Sequence, residues 1–337
     1  MLHGHGDDIH DYPDIRINFS SNIHNSFSHK QLFRYLSERF SNVLSYPEPT
    51  PVGLEQEIAQ LLGMNGDDVC VTNGATESIY LAAQAFRGSH SAILIPTFSE
   101  YEDACLLHGH KVTHIRSLAQ IPEQADMVWL CCPNNPTGTV LDKSELLEAI
   151  NRHSETLFFL DASYAIYTQK QLISPTESLA LPNVLMLHSM TKEFAIPGLR
   201  IGFLTACPSL IQSINSQRMP WSVNQVAIDA AHYLLNHRDE FRLDIAAIIE
   251  ERERLRQALN NIEGIEAYSS DTHILLCRVQ HATAAELKEH LALNHGILIR
   301  DASNFAGLDT HHFRIAVQTP AENDELCRAL AFKPLNL

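Results

Sequence analysis

The chain has 337 residues, and 24 Lys+Arg against 40 Asp+Glu leave it a formal charge of −16. That acid excess argues against a nucleic-acid-binding surface. Apolar residues make up 45%, ample for a core, and no apolar run is long enough to span a membrane.

The opening MLHGHGDDIHDY has neither a basic flank nor an apolar stretch, so no signal peptide is expected. Seven cysteines without a C-x-x-C pair, several inside apolar runs such as WLCCP, read as small core residues in a reducing cytoplasm. The histidines are scattered, with no zinc spacing and no H-E-x-x-H, so no metal is expected.

Short apolar runs alternate with helical patterns through the middle of the chain. VCVT (69–72), AILI (92–95), KVTHIR (111–116), DMVWLCC (126–132), TLFFLDA (156–162), VLMLH (184–188) and LRIGFLTA (199–206) read as strands. Helical patterns follow at 76–86 and 143–153. Buried strands separated by helices imply an α/β layer around a mostly parallel sheet of about seven strands. A long helical pattern runs from 224 to 259. Beyond it, ILLCRV (274–279), a helix at 283–293, ILIRD (297–301), FRIAV (313–317) and a helix at 321–331 describe a small α+β unit. The first forty residues lack a strand–helix rhythm of their own and are expected to pack on that unit and border the site. The expected division is a large domain at 40–220 and a small domain combining 1–39 with 221–337.

Four segments carry chemistry. In SMTKEFAIPGLRIGF (189–203), Lys192 lies just past the strand VLMLH, where open α/β sheets place ligands. A free lysine with its ordinary pKa of ~10.4 is neutral in only about one molecule in 2,500 at pH 7, so a reactive Lys192 needs a large downward shift. A surface lysine is the ordinary alternative. Ser189-x-x-Lys192 also fits the serine nucleophile of penicillin-binding proteins, but the S-D-N and K-T-G that reading requires are absent. NGATES (73–78) sits between a strand and a helix. Gly74 permits a tight turn, and the amides of Ala75 and Thr76 offer an anion site, or simply an ordinary capped turn. PNNPTG (133–138) is a turn after a strand. LDASY (160–164) puts Asp161 after an apolar run, where an ionised carboxylate needs a partner unless it is only a helix cap.

Taken in order, N-G-x-T, P-x-F-x-x-Y, N-P-T-G, D-x-x-Y, S-x-x-K, R and a late R-I-A resemble the fold-type-I pyridoxal-phosphate (PLP) enzymes, the class I/II aminotransferase superfamily, over about residues 5–330. The resemblance implies the type I PLP-dependent transferase fold and residue roles. Lys192 forms the Schiff base with PLP and then moves protons at the reacting carbon. Asp161 pairs with the protonated pyridine nitrogen. Asn135 and Tyr164 hydrogen-bond the ring 3-oxygen, and Phe98 stacks on the ring. Ala75, Thr76, Ser189 and Arg200 hold the phosphate, beside Gly74. Tyr46 reaches the phosphate of a neighbouring subunit, which implies a homodimer. Arg314 binds the substrate carboxylate.

Two branches fit: histidinol-phosphate aminotransferase and threonine-phosphate decarboxylase of cobalamin synthesis. His5-Gly6 is similar to the second branch's His-Gly-Gly opening, FSSNI (19–23) to its F-S-A-N-I, and ILIRDASNFAGL (297–308) to its I-R-x-x-x-N-x-x-G-L. Arg300 and Arg314 then read as two substrate-binding arginines suited to phosphate and carboxylate. His5 and Asn22 join them in orienting the substrate. Asp7 in place of the second glycine, NIHNSF (22–27) and Ala162 depart from the family pattern and leave substrate identity open. The reading is a decarboxylase of a small phosphorylated amino acid, with a transaminase as the alternative. A nicotinamide dehydrogenase needs G-x-G-x-x-G after a strand, and a P-loop protein needs G-x-x-x-x-G-K-[ST]; the chain has neither.

Overall fold

The computed structural model describes residues 6–24 and 26–331. After a two-residue strand, β1 (Ile17–Asn18), come β2 (Val69–Thr72), β3 (His90–Leu94), β4 (Lys111–Ile115), β5 (Met127–Cys131), β6 (Leu157–Asp161), β7 (Val184–His188) and β8 (Gly202–Thr205). These last seven form one sheet in the order β2-β8-β7-β6-β5-β3-β4. The strands from β4 to β7 pair in parallel, and β8 runs antiparallel to both of its neighbours. Every residue of β5 and β6 is buried because both faces are covered. Alternate residues go to opposite sides. Trp129 and Phe159 pack with Ile79 and Tyr101, whereas Val128 and Phe158 pack with Leu146 and Ile150. Each such large side chain contributes ~1.5–3 kcal/mol by leaving water.

The topology fixes the site. In the register, Cys131 lies beside Asp161, and Asp161 beside Leu187, so β5, β6 and β7 end together at one edge. Strand β2 ends at that same edge, with Thr72 opposite Gly202 at the start of β8. The segments that follow β2, β5, β6 and β7, and the one that precedes β8, therefore converge.

The smaller unit holds β9 (Ile265–Ala267), β10 (Ile274–Val279), β11 (Ile297–Leu298), β12 (Arg300–Asp301) and β13 (His312–Ala316). Its antiparallel sheet has the order β12-β13-β10-β9, and β1 pairs in parallel with β11. Helices Ile245–Asn260, Ala284–His295 and Pro320–Ala331 complete it. The second of these opens on a Thr283/Glu286 capping box and ends at Gly296.

The packing departs from the expected division in two places. The long helical pattern is two helices, Gln225–Asn236 and Ile245–Asn260, broken by a short turn at Arg238–Phe241. The first buries Ala227, Ala231 and Leu234 against Val71 and Phe203 of the large sheet, and only the second joins the smaller unit's core. Helix Lys30–Arg39 likewise places Leu32 in the large-sheet cluster. Both helices thus pack with the large sheet's cluster, Gln225–Asn236 beyond residue 220 and Lys30–Arg39 before residue 40. Helical periodicity marks an apolar stripe but not the surface it meets. Among the described residues, no helix is long and apolar enough to cross a membrane.

Candidate active site

A cavity of about 680 Å³ opens at the convergent edge of the large sheet. Asn135, Asp161, Tyr164, Ser189, Lys192, Arg200, Ala75, Thr76 and Phe98 line its floor and sides, and Asp7, Ser21, Asn22 and Arg314 close it from the other unit and the N-terminal segment.

Lys192 sits on the short helix Met190–Glu193 directly after β7. Its Nζ donates to the Ser21 carbonyl at 2.8 Å. Burial first, then the charges of Arg314 and Arg200, push its pKa down to about 8, against the opposing pull of Asp7 and Asp161. The amine is thus far more often neutral at physiological pH than a free lysine. Tyr167 fixes the same residue by donating to its carbonyl oxygen at 3.1 Å.

Asp161 ends β6, 4% exposed. Its Oδ1 accepts from the Ser163 amide at 2.8 Å and its Oδ2 from the Tyr101 hydroxyl at 2.6 Å. Burial pushes its pKa up, while the Ser163 and Tyr101 bonds and the Lys192 charge pull it back. Asn135 Oδ1 accepts from Arg314 Nη1 at 2.6 Å. The Tyr164 hydroxyl accepts from Asn22 Nδ2 at 2.9 Å, and burial holds its pKa above the ordinary phenol value. Phe98 meets Tyr101 edge-on at 5.8 Å.

At one end, helix Gly74–Ala85 points its free amides at the cavity. Gly74 has φ +79°, and a Cβ there would meet Arg200 Nη2 at 2.7 Å. Arg200 itself is held at φ +55° and donates to the Pro197 carbonyl at 3.1 Å. Ser189 Oγ shares a hydrogen bond with Thr191 Oγ1 at 2.8 Å. Helix amides, a guanidinium and a hydroxyl around a glycine too close for a side chain make a phosphate cradle.

Arg314 is buried, and its Nη2 donates to the Ser20 carbonyl. Burial pushes its pKa down. Its Nε and the Asn22 Oδ1 are buried without a hydrogen-bond partner among the described residues. Such orphans are costly unless a ligand meets them. Asn22 is also held at φ +57°. The remaining sequence candidates stand apart from this lining. Arg300 donates to Asn304 Oδ1 at 2.8 Å and lies behind Gly6, where a Cβ would touch its Cδ at 2.6 Å. Tyr46 is 85% exposed and 5.5 Å from the Trp221 ring. His5 lies outside the described residues.

Sequence reasoning gave no role to Tyr101, Asp7 or the Ser21 carbonyl. Tyr101 was visible as the last residue of P-x-F-x-x-Y. The Ser21 contact is made by backbone 171 residues away from Lys192 and left no signal.

A neutralisable amine, a buried carboxylate across from it, polar groups for a ring oxygen, an aromatic face and a phosphate cradle are the groups that pyridoxal phosphate requires. The residues present fit it.

Similarity to known proteins agrees with the geometry. The chain is 31% identical to a putative threonine-phosphate decarboxylase of Caldanaerobacter subterraneus subsp. tengcongensis, covering 97% of this chain and 92% of that one. It is 28% identical to the adenosylcobalamin biosynthesis bifunctional protein CobDQ of Leptospira interrogans, covering 95% of this chain but spanning only 39% of that longer protein. The crystal structure of L-threonine-O-3-phosphate decarboxylase from Porphyromonas gingivalis superposes with a TM-score of 0.91 at 38% identity, over 93% of this chain and 98% of that one. The profile of the family described as aminotransferase class I and II matches residues 15–330. That span runs from before β1 to the last turn of the final helix, so the chain belongs to the class I and II aminotransferases, and its cofactor is pyridoxal phosphate.

Proposed function

We propose that the protein decarboxylates a small phosphorylated amino acid, with L-threonine O-3-phosphate as substrate. The observation that carries this reading is the 38% identity, over nearly the whole of both chains, to the decarboxylase of Porphyromonas gingivalis.

When bound, pyridoxal phosphate takes up the electron pair left as a bond at the substrate's α-carbon breaks. The chain's own residues do the rest. The Lys192 amine, neutral often enough at working pH, binds the cofactor covalently and then carries the proton to or from the α-carbon. Asp161 holds a proton on the ring nitrogen. Asn135 and Tyr164 fix the ring oxygen, and Phe98 covers a ring face. The Gly74–Thr76 amides, Ser189 and Arg200 retain the phosphate. Arg314, whose Nε has no partner among the described residues, would take the substrate carboxylate and with Asn22 would orient the substrate for the bond to be broken. Arg300, behind Gly6, is the second arginine suited to the substrate's acid groups, and His5 is a further candidate for orienting the substrate.

The proposal extends to the assembly and its compartment. Phe40, Leu44 and Tyr46 are exposed on one stretch of chain, as Met219 and Trp221 are on another, and a second copy of the chain covers them. Tyr46 then reaches the partner's phosphate site. All seven cysteines are free and five are buried, in keeping with the cytoplasm.

A second reading, transamination of histidinol phosphate or another amino acid, draws on one feature. Asp7, an acid where the decarboxylases open on His-Gly-Gly, lines the cavity at φ +63°. The test is incubation of the holoenzyme with L-threonine O-3-phosphate. Release of CO₂ without a keto acid is expected. Strict dependence on 2-oxoglutarate overturns the decarboxylase in favour of the transaminase.

A further inference from the structure

We propose that Tyr101 is a positioning residue that keeps the Asp161 carboxylate ionised and aimed, so that the proton between this carboxylate and the cofactor's ring nitrogen stays on the nitrogen. The inference rests on the assignment of pyridoxal phosphate to the cavity.

Tyr101 lies in the first turn of helix Glu100–Leu107 and is fully buried. Its hydroxyl reaches Asp161 Oδ2 at 2.6 Å, while the Ser163 amide reaches Oδ1 at 2.8 Å. One donor on each oxygen fixes the plane of the carboxylate. Burial holds the Tyr101 pKa well above that of an ordinary phenol, with Asp161 adding to the effect, so the hydroxyl remains a donor across the working pH range. An isolated buried carboxyl tends to take up a proton. A protonated Asp161 could no longer draw a proton to the ring nitrogen. A permanent donor at 2.6 Å opposes this by favouring the ionised form.

The phenol is itself immobilised. Its ring stacks on Trp129 at 5.9 Å, and Trp129 Nε1 donates to Ser91 Oγ at 3.0 Å. Ser91 in turn is tied to His110 Nδ1 at 2.8 Å. The three-residue step from Phe98 to Tyr101 gives the motif two functions: one aromatic ring lines the cavity, and the next sends a hydroxyl to the carboxylate beneath it. A purely structural tyrosine would need only some acceptor for its hydroxyl, not the carboxylate that meets the cofactor.

The test is Tyr101→Phe, with Trp129→Phe as a control that disturbs the same stack without touching the Asp161 bond. Both are loaded with pyridoxal phosphate labelled with ¹⁵N in the ring, and the nitrogen's chemical shift is followed against pH. In Tyr101→Phe the shift moves toward neutral pyridine and turnover falls ~10-fold or more at little-changed KM, the scale of one lost charge-assisted hydrogen bond. Trp129→Phe keeps the wild-type shift. A wild-type nitrogen shift and turnover in Tyr101→Phe overturns the inference, as does the same change in Trp129→Phe. If Tyr101→Phe does not fold, Tyr101→Met removes the donor and is read in the same way. Failure of the wild-type protein to bind pyridoxal phosphate would instead overturn the cofactor assignment.

Discussion

The two walls of the cavity are built differently. The floor hangs on strand ends whose register is set by backbone ladders: Asp161 ends β6, and the segments carrying Asn135 and Lys192 leave β5 and β7 at the same edge. The opposite wall, residues 6–24 with Arg314, is anchored by ladders too, β1 on β11 and β13 between β12 and β10, but Asp7 and Asn22 lie off those strands at positive φ, and Asn22 and Arg314 meet the floor through single side-chain hydrogen bonds to Tyr164 and Asn135. A ladder positions chemistry rigidly and survives sequence change. Individual side-chain contacts can be retuned one residue at a time. On the proposed reading, the floor would hold the cofactor and the contacts across from it would set specificity.

The sharpest break with that division is Lys192→Ala. It should abolish the visible absorbance of bound cofactor and cut turnover by ~10²–10⁴-fold or more, the range for losing a positioned proton-transfer group. Retained absorbance would mean that the floor does not hold the cofactor through this amine.

Next comes the floor's own strain. The pKa of Lys192 is depressed to about 8 in the folded apoenzyme, mainly by burial. Between that value and ~10.5 the unfolded chain holds a proton that the folded one has lost, so stability rises with pH over this window. The gain from this group should be roughly 3 kcal/mol. It should appear in urea unfolding of apo wild type at pH 8 and 10.5 and be missing in Lys192→Met.

Arg314→Lys tests the other wall. It loses the planar fork that meets Asn135 Oδ1 and the Ser20 carbonyl, and should raise KM for the amino acid ~10-fold or more while leaving cofactor affinity near wild type. Equal losses in both would dissolve the distinction between the walls. An effect of about the same size is expected from Gly74→Ala, on cofactor rather than substrate. A Cβ at φ +79°, 2.7 Å from Arg200, should weaken cofactor binding by about 1–2 kcal/mol, measured by titration of the apoenzyme.

The same contrast explains what could be read from the letters. LFFLD and VLMLH announce buried strands because nearly every residue in them is apolar, and Asp161 stands out as the one acid ending such a run. Lys192 and the Gly74 turn follow from their places after strands. The contact between Arg314 and Asn135 joins residues 179 apart, and the partner of Lys192 Nζ is a carbonyl, a group every residue carries. Neither leaves a local pattern. The stripe on helix Gln225–Asn236 was equally silent about its target, because periodicity gives a face and not its neighbour.

One contact has a consequence for handling the enzyme. The Lys192 amine fastens the chain at the Ser21 carbonyl. On the proposed reading, Lys192 would hold the cofactor through this same nitrogen, so occupancy of the site would weaken its tie to the N-terminal segment crossing above it. Limited proteolysis within residues 6–24 should therefore proceed at different rates in the empty and loaded enzyme, giving a readout of saturation that needs no substrate.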